Sequence, residues 1–248
     1  MPEATLLSLE LVNLELACFV IATLYSITGH AGASGYIAVM ALLGMAPQEI
    51  RPLALTLNVV VSLVATLQFY RAGHFDRKLF LPFVLGSIPC ALLGGYVQLP
   101  MQWFKWLMGL ALMVAALRVS VKQPRVTASP AFMMALALGA AIGLVSGLIG
   151  VGGGIFLTPL LLLMGWANAK QAAAVSAPFI LFNSLAALVG LNAYATQWLP
   201  DNMLNLVLTV MVGGLLGSFL GSRTFPQKII TRVLSAVLLI AGAKLLYV

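Results

Sequence analysis

Two glycine-rich runs are where this sequence could do chemistry: Gly29-His30-Ala31-Gly32-Ala33-Ser34-Gly35 and Gly147-Leu148-Ile149-Gly150-Val151-Gly152-Gly153-Gly154-Ile155-Phe156-Leu157-Thr158-Pro159. The second has the superficial spacing of a nucleotide loop. No Gly-Lys-Ser/Thr follows it and the next acidic residue is Asp201, so that chemistry is set aside. Both runs interrupt long apolar stretches, and in such a place glycine breaks a helix. A helix that restarts inside lipid leaves its first N–H groups without partners and carries partial positive charge at that end. Each orphan group costs several kcal/mol in lipid unless something accepts its hydrogen bond. An anion would accept it, and glycines would let the anion approach the backbone. On this ground His30, Gly32, Ser34 and Gly35 are candidate binding residues in the first run, and Gly152, Gly153 and Gly154 in the second.

Side chains add to the set. His30 is the one ionisable group deep in an apolar stretch. Thr56, Asn58 and Ser62 follow the first run and Ser176, Asn183 and Ser184 the second, at spacings near one helical turn that can put polar atoms on one face. From these, Thr56, Asn58, Ser176 and Asn183 join the candidates. A plainer role stays open for each. The triple glycine could serve a close helix crossing, as Gly139/Gly143, Gly143/Gly147, Gly213/Gly217 and Gly217/Gly221 are expected to do. The imidazole could simply bond a broken helix, and the polar groups could bond between helices. Cys18 and Cys90 lie in apolar stretches and read as small buried hydrophobes. No metal cluster, nucleophile–base pair or intramembrane carboxylate pair is visible, so neither a metal, a cofactor nor an enzyme is expected.

The elements that must hold these residues follow from composition. Of 248 residues, 62% are apolar and 8% charged, with mean hydropathy +1.07. A soluble domain carries about a quarter charged residues, so lipid is the solvent. The net charge of +7 is spread over short segments between apolar spans, which excludes a nucleic-acid footprint. The first 20 residues hold Glu3, Glu10 and Glu15 but no Lys or Arg, so no cleavable signal is expected. Charge-free spans cover 16–48, 52–70, 79–104, 126–169, 171–200 and 202–222, with two more near 103–120 and 227–247. At about 20 residues per crossing, 16–48 and 126–169 are too long for one crossing, and they contain the two glycine runs.

The runs also expose a repeat. With an offset of 121, Gly29 meets Gly150, Gly32 meets Gly153, Leu42 meets Leu163 and Gly44 meets Gly165; after a two-residue slip, Leu92-Leu93-Gly94 meets Leu215-Leu216-Gly217. Residues 1–126 and 127–248 therefore read as two copies of one unit within a single membrane domain. If each long stretch crosses once, the basic residues divide 7 against 6 between the two faces, which sets no orientation. If each instead enters, breaks and returns, Arg71, Arg77, Lys78, Arg118, Lys122, Arg125, Lys170, Arg223, Lys228 and Arg232 face Arg51, Lys105 and Lys244, 10 against 3. Basic loops stay cytoplasmic, so the copies are expected to be inverted, with both termini outside. Trp103 and Trp198 are then expected at the outer interface and Trp166 at the inner one. No Arg or Lys is placed in the membrane core, so dipoles and hydroxyls are left to bind the anion.

The stretch from Gly143 through Pro159, the segment Tyr70-Arg71-Ala72-Gly73-His74-Phe75-Asp76 and the run Leu216-Gly217-Ser218-Phe219-Leu220-Gly221-Ser222 resemble the sulfite exporter TauE/SafE family of membrane transporters. The resemblance covers nearly the whole chain, and the second-half glycine motif is its most specific part. It implies a transporter, often an exporter, of sulfite, sulfonates or related small organosulfur anions. The first half departs from it, since Ala38 stands where the repeat offset pairs with Pro159.

The expected protein is thus an all-α polytopic membrane protein of the bacterial inner membrane, each half a broken, re-entrant hairpin plus three transmembrane helices. It is expected to move a small sulfur-containing anion through a midplane site at the broken-helix N-termini. An anion channel using the same helix ends is the alternative. The expected partners are the anion and membrane lipid, with no nucleic acid; a homodimer is left open.

Overall fold

The computed structural model describes residues 2–43, 45, 47–97, 129–191 and 203–224, together with single positions at 102, 106, 113, 126, 226, 229, 232, 236, 239, 240 and 243. The spans expected near 103–120 and 227–247 fall almost wholly outside the described residues, as do Trp103 and Trp198. The regular structure among the described residues is helical: α1 (Pro2–Ile27), α2 (Ala33–Leu42), α3 (Pro47–Arg71), α4 (Arg77–Tyr96), α5 (Phe132–Ile149), α6 (Gly154–Leu163), α7 (Ala169–Leu191) and α8 (Met203–Phe219), with a π-helical turn at Leu220–Thr224. Five segments are long and apolar enough to cross a bilayer: Glu49–Arg71, Arg77–Tyr96, Phe132–Ile149, Ala169–Leu191 and Met203–Thr224. The helix begins at Pro2, well before the charge-free stretch that starts at residue 16, because isolated acidic residues do not break a helix.

Local chemistry ends and starts these helices. Asp76 caps α4, its carboxylate accepting from the backbone N–H of Lys78 at 2.9 Å and of Leu79 at 3.2 Å. Helix α5 stops at Gly150, which adopts φ 81°, and the next turn is built from Gly152 at 75° and Gly153 at 80°. The first break is made the same way by Gly29 at 74° and Gly32 at 104°. An L-residue would be strained at each of these positions.

After the first break α2 packs against α1, and after the second α6 packs against α7. A Cβ on Gly32 or Gly35 would fall on Ile21 of α1, and one on Gly153 would meet Ile142 and Ser146 of α5. Helices α2 and α6, ten residues each, are the short helices that follow the breaks.

Glycines also set the long helix pairs. A Cβ on Gly139, Gly143 or Gly147 would overlap the carbonyl of Phe83, Ser87 or Ala91, so α5 runs parallel to α4 at backbone contact. On the opposite side of the molecule Gly213, Gly217 and Gly221 meet the carbonyls of Phe19, Thr23 and Ile27, joining α8 to α1 in the same manner. These are the close small-residue crossings that the glycine spacings predict. Between the two seams lie α3 and α7, packed against each other, with Leu55 beside Ala187 and Leu191 at one end and Phe69 beside Ala173, Ala174 and Ala177 at the other. The two helices are therefore antiparallel.

Trp166 departs from expectation. Instead of facing an interface it is only 8% exposed, its ring 6.2 Å from that of Phe83, because the turn after α6 tucks against α4.

Candidate functional site

The two breaks meet at the middle of the central helices. Asn58, near the centre of α3 and fully buried, accepts from the N–H of Ala33, the first residue of α2, at 3.0 Å through Oδ1. Its Nδ2 donates to the carbonyl of Val151 in the second break at 3.2 Å. One amide thus ties both breaks to α3. On the other side, a Cβ on Gly152 or Gly154 would meet Ile180, near the centre of α7.

His30 makes a second tie. Its Nε2 lies 3.1 Å from the carbonyl oxygen of Gly154, which can only accept, so Nε2 carries the hydrogen. Its Nδ1 is 2.8 Å from the Thr28 hydroxyl, which also lies 2.8 Å from the carbonyl of Tyr25. Both His30 and Thr28 are buried. The Tyr25 and Ser34 hydroxyls pair at 2.9 Å across the first break, and Tyr36 donates to the carbonyl of Ala31 at 2.7 Å.

The two helix starts differ. Helix α2 has Asn58 as a side-chain acceptor. Helix α6 follows Gly153, and no side chain caps it. Its glycines are walled by Phe179, Ile180 and Ile142, by Ser146 and by Ser184, so their missing Cβ atoms let α7 and α5 lie directly on the backbone. The Ser146 hydroxyl and Asn183 Oδ1 are buried and have no hydrogen-bond partner. Asn183 bonds its own helix through Nδ2, at 2.8 Å from the carbonyl of Phe179.

The structure thus gathers His30, Gly32, Ser34, Asn58, Gly152, Gly153 and Gly154 around the paired breaks. The other candidates stand apart. Gly35 packs on Ile21, Ser176 bonds Thr158 at 2.7 Å between α6 and α7, and Thr56 returns its hydroxyl to the carbonyl of Pro52 at 2.8 Å.

Sequence reasoning missed several groups here. Tyr25, Thr28 and Ser146 lie just before the glycine runs, and polar residues within one turn of a break would have been a usable signal. Arg51 was assigned to a loop by its charge. It lies in the second turn of α3, where its guanidinium donates to the carbonyls of Gly147 at 2.8 Å and Val97 at 3.2 Å and its stem packs by Gly150. A cation there satisfies the carbonyls at the C-terminal ends of α4 and α5. Among the described residues no group of three or more His, Cys, Asp or Glu is placed to hold a metal ion.

Membrane-crossing helices around two paired backbone breaks define a multi-pass membrane protein with a buried polar centre. The chain belongs to the sulfite exporter TauE/SafE family, which it matches over residues 14–245. It is 40% identical over 247 residues to the "Probable membrane transporter protein y4hK" of Sinorhizobium fredii (strain NBRC 101917 / NGR234), covering 96% of this chain and 99% of that one. It is 26% identical over 225 residues to the "Probable membrane transporter protein YunE" of Bacillus subtilis (strain 168), covering 81% of each. The protein is accordingly a membrane transporter of the TauE/SafE type, and its multi-pass character is consistent with a bacterial inner membrane.

Proposed function

We propose that this transporter carries a small sulfur-containing anion, such as sulfite, a sulfonate or a sulfocarboxylate, outward through a site at the paired breaks. The observation that carries the assignment is the start of α6: a ten-residue helix at the centre of the bundle, preceded by a left-handed glycine and capped by no side chain. Its uncapped N–H dipoles favour an anion without requiring a cationic side chain. The family description supplies the sulfur chemistry.

We further propose that the halves are inverted copies, residues 1–126 and 127–248, with the breaks at the bilayer midplane. Several contacts support this, because they survive an exchange of the halves. The α4–α5 seam corresponds to the α8–α1 seam, and the approach of Gly29 to Ala173 corresponds to that of Gly150 to Arg51. Tyr25 O accepts from the N–H of His30, and Ser146 O, 121 positions later, accepts from that of Val151. Inverted repeats that place broken helices at one centre are a general plan for transport sites.

Export needs no coupling ion. In a cell that is negative inside, an anion is driven outward by roughly 2.3 kcal/mol per charge per 100 mV. The experiment is sulfite flux in proteoliposomes at clamped potential, with and without sodium and a proton gradient. Saturable, potential-sensitive flux without sodium is expected. Electroneutral flux or an absolute sodium requirement refutes the driving-force argument, non-saturating flux makes the protein a channel, and absence of flux for sulfite, a sulfonate and a sulfocarboxylate alike refutes the substrate class.

A further inference from the structure

The two helix starts are chemically unequal, and the inequality bears on where an anion can bind. At α2 the N–H of Ala33 already has a protein acceptor in Asn58 Oδ1, and the nearby hydroxyl of Ser34 is paired with Tyr25. The first N–H of α2 and the hydroxyl beside it are thus already engaged within the protein. At α6 no side chain accepts from the first turn.

Ser146 is the second observation at that end. It is fully buried in the last complete turn of α5, with its Cβ 3.3 Å from the point a Cβ on Gly153 would occupy, directly before α6. Its hydroxyl has no partner. Three other buried serines dispose of their hydrogen within their own helix, Ser62 to the carbonyl of Asn58, Ser87 to that of Val84 and Ser218 to that of Gly214, while Ser26 shares the unpartnered state of Ser146. An unbonded buried hydroxyl is costly, and so are capless helix N–H groups. Both are donors, and an oxygen-rich anion is the kind of group that accepts from both at once.

Resting on the anion-transporter assignment above, we propose that the start of α6 with the Ser146 hydroxyl is the anion-binding end of the protein, that Asn58 already takes the first N–H of α2 in place of a ligand, and that each chain therefore holds one oxyanion rather than two. The pseudo-symmetric scaffold carries a single-ended site. Phe179, Ile142 and Ile180 wall that end with apolar atoms, which keeps competing water away from the two donor types.

The test is calorimetric titration of sulfite into the purified full chain, comparing the unaltered protein with Ser146→Ala and Ser26→Ala. Ser26 is the matched control: its hydroxyl is also buried and unpartnered, but its Cβ faces Gly217 in the α1–α8 seam. One sulfite per chain is expected. Loss of a hydrogen bond to a charged group should weaken binding roughly ten- to a hundredfold in Ser146→Ala. Ser26→Ala should bind as the unaltered protein does. If Ser146→Ala fails to fold, Ser146→Cys, which keeps the shape with a poorer donor, is read in its place. Equal affinity in the Ser146 variant and the unaltered protein, or two sulfites per chain, overturns the single-ended site while leaving the transporter assignment standing. No binding of sulfite by the unaltered protein overturns the single-ended site and sulfite as the substrate.

Discussion

Asn58→Ala is the perturbation that tests the geometry at the centre of the molecule most directly. The side-chain amide joins the N–H of Ala33 at 3.0 Å to the carbonyl of Val151 at 3.2 Å, so one residue of α3 holds the first and second breaks together. Alanine removes both partners without adding bulk. What remains is a buried donor and a buried acceptor where no water can replace the amide, and each such group costs about 1–3 kcal/mol. The expected loss is therefore about 2–6 kcal/mol, against about 5–15 kcal/mol for a folded domain as a whole. Asn58→Asp should rescue little: a carboxylate still accepts from Ala33 but faces the Val151 carbonyl with a second acceptor. The assay is unfolding in mixed micelles by titration with a denaturing detergent, with Thr56→Val as the control. Thr56 bonds only the Pro52 carbonyl of its own helix, so its loss should cost under about 1 kcal/mol. An Asn58→Ala protein within about 1 kcal/mol of the unaltered one would refute the idea that this amide ties the breaks.

Three further outcomes are expected. Gly217→Ala and Gly147→Ala should each lower thermal stability, because the new Cβ overlaps the carbonyl of Thr23 or Ala91 and must push two helix backbones apart; unchanged melting of either variant would show that the seam yields. His30→Ala should reduce sulfite flux, because it removes the N–H that meets the Gly154 carbonyl at 3.1 Å. His30→Gln, which keeps an N–H donor for Gly154, should recover flux, and unchanged flux in His30→Ala would show that this tie between the breaks is dispensable. In a background lacking Cys18 and Cys90, cysteines replacing exposed Val126 and part-buried Lys170, which flank the second broken stretch, should both react with impermeant reagents from the cytoplasmic face; labelling of the two from opposite faces would refute the re-entrant topology.

Much of the fold was legible in the linear sequence because its signals are local. A charge-free apolar run is a crossing whatever surrounds it, and Gly139, Gly143 and Gly147 at four-residue spacing face one way on any helix. The breaks at Gly29–Gly35 and Gly150–Gly154 were visible as glycine in apolar surroundings, and left-handed backbone at Gly29, Gly32, Gly150, Gly152 and Gly153 is the reason those residues are needed. What the tertiary structure alone decided is which acceptor meets which broken end. Asn58 lies 25 positions from Ala33 and 93 from Val151, and His30 lies 124 from Gly154. Nothing in periodicity or composition links such residues, because their meeting depends on the crossing angles and axial offsets of separate helices. The same holds for Arg51, whose charge suggested a loop while α3 carries its guanidinium to the end of α5. It holds too for Trp166, whose burial against Phe83 is set by how the turn after α6 docks on α4. The inequality of the two ends is of this kind as well. Glycines at matched positions made the breaks alike, and only the way Asn58 turns its oxygen to the first break and its nitrogen to the second gave α2 an acceptor that α6 lacks.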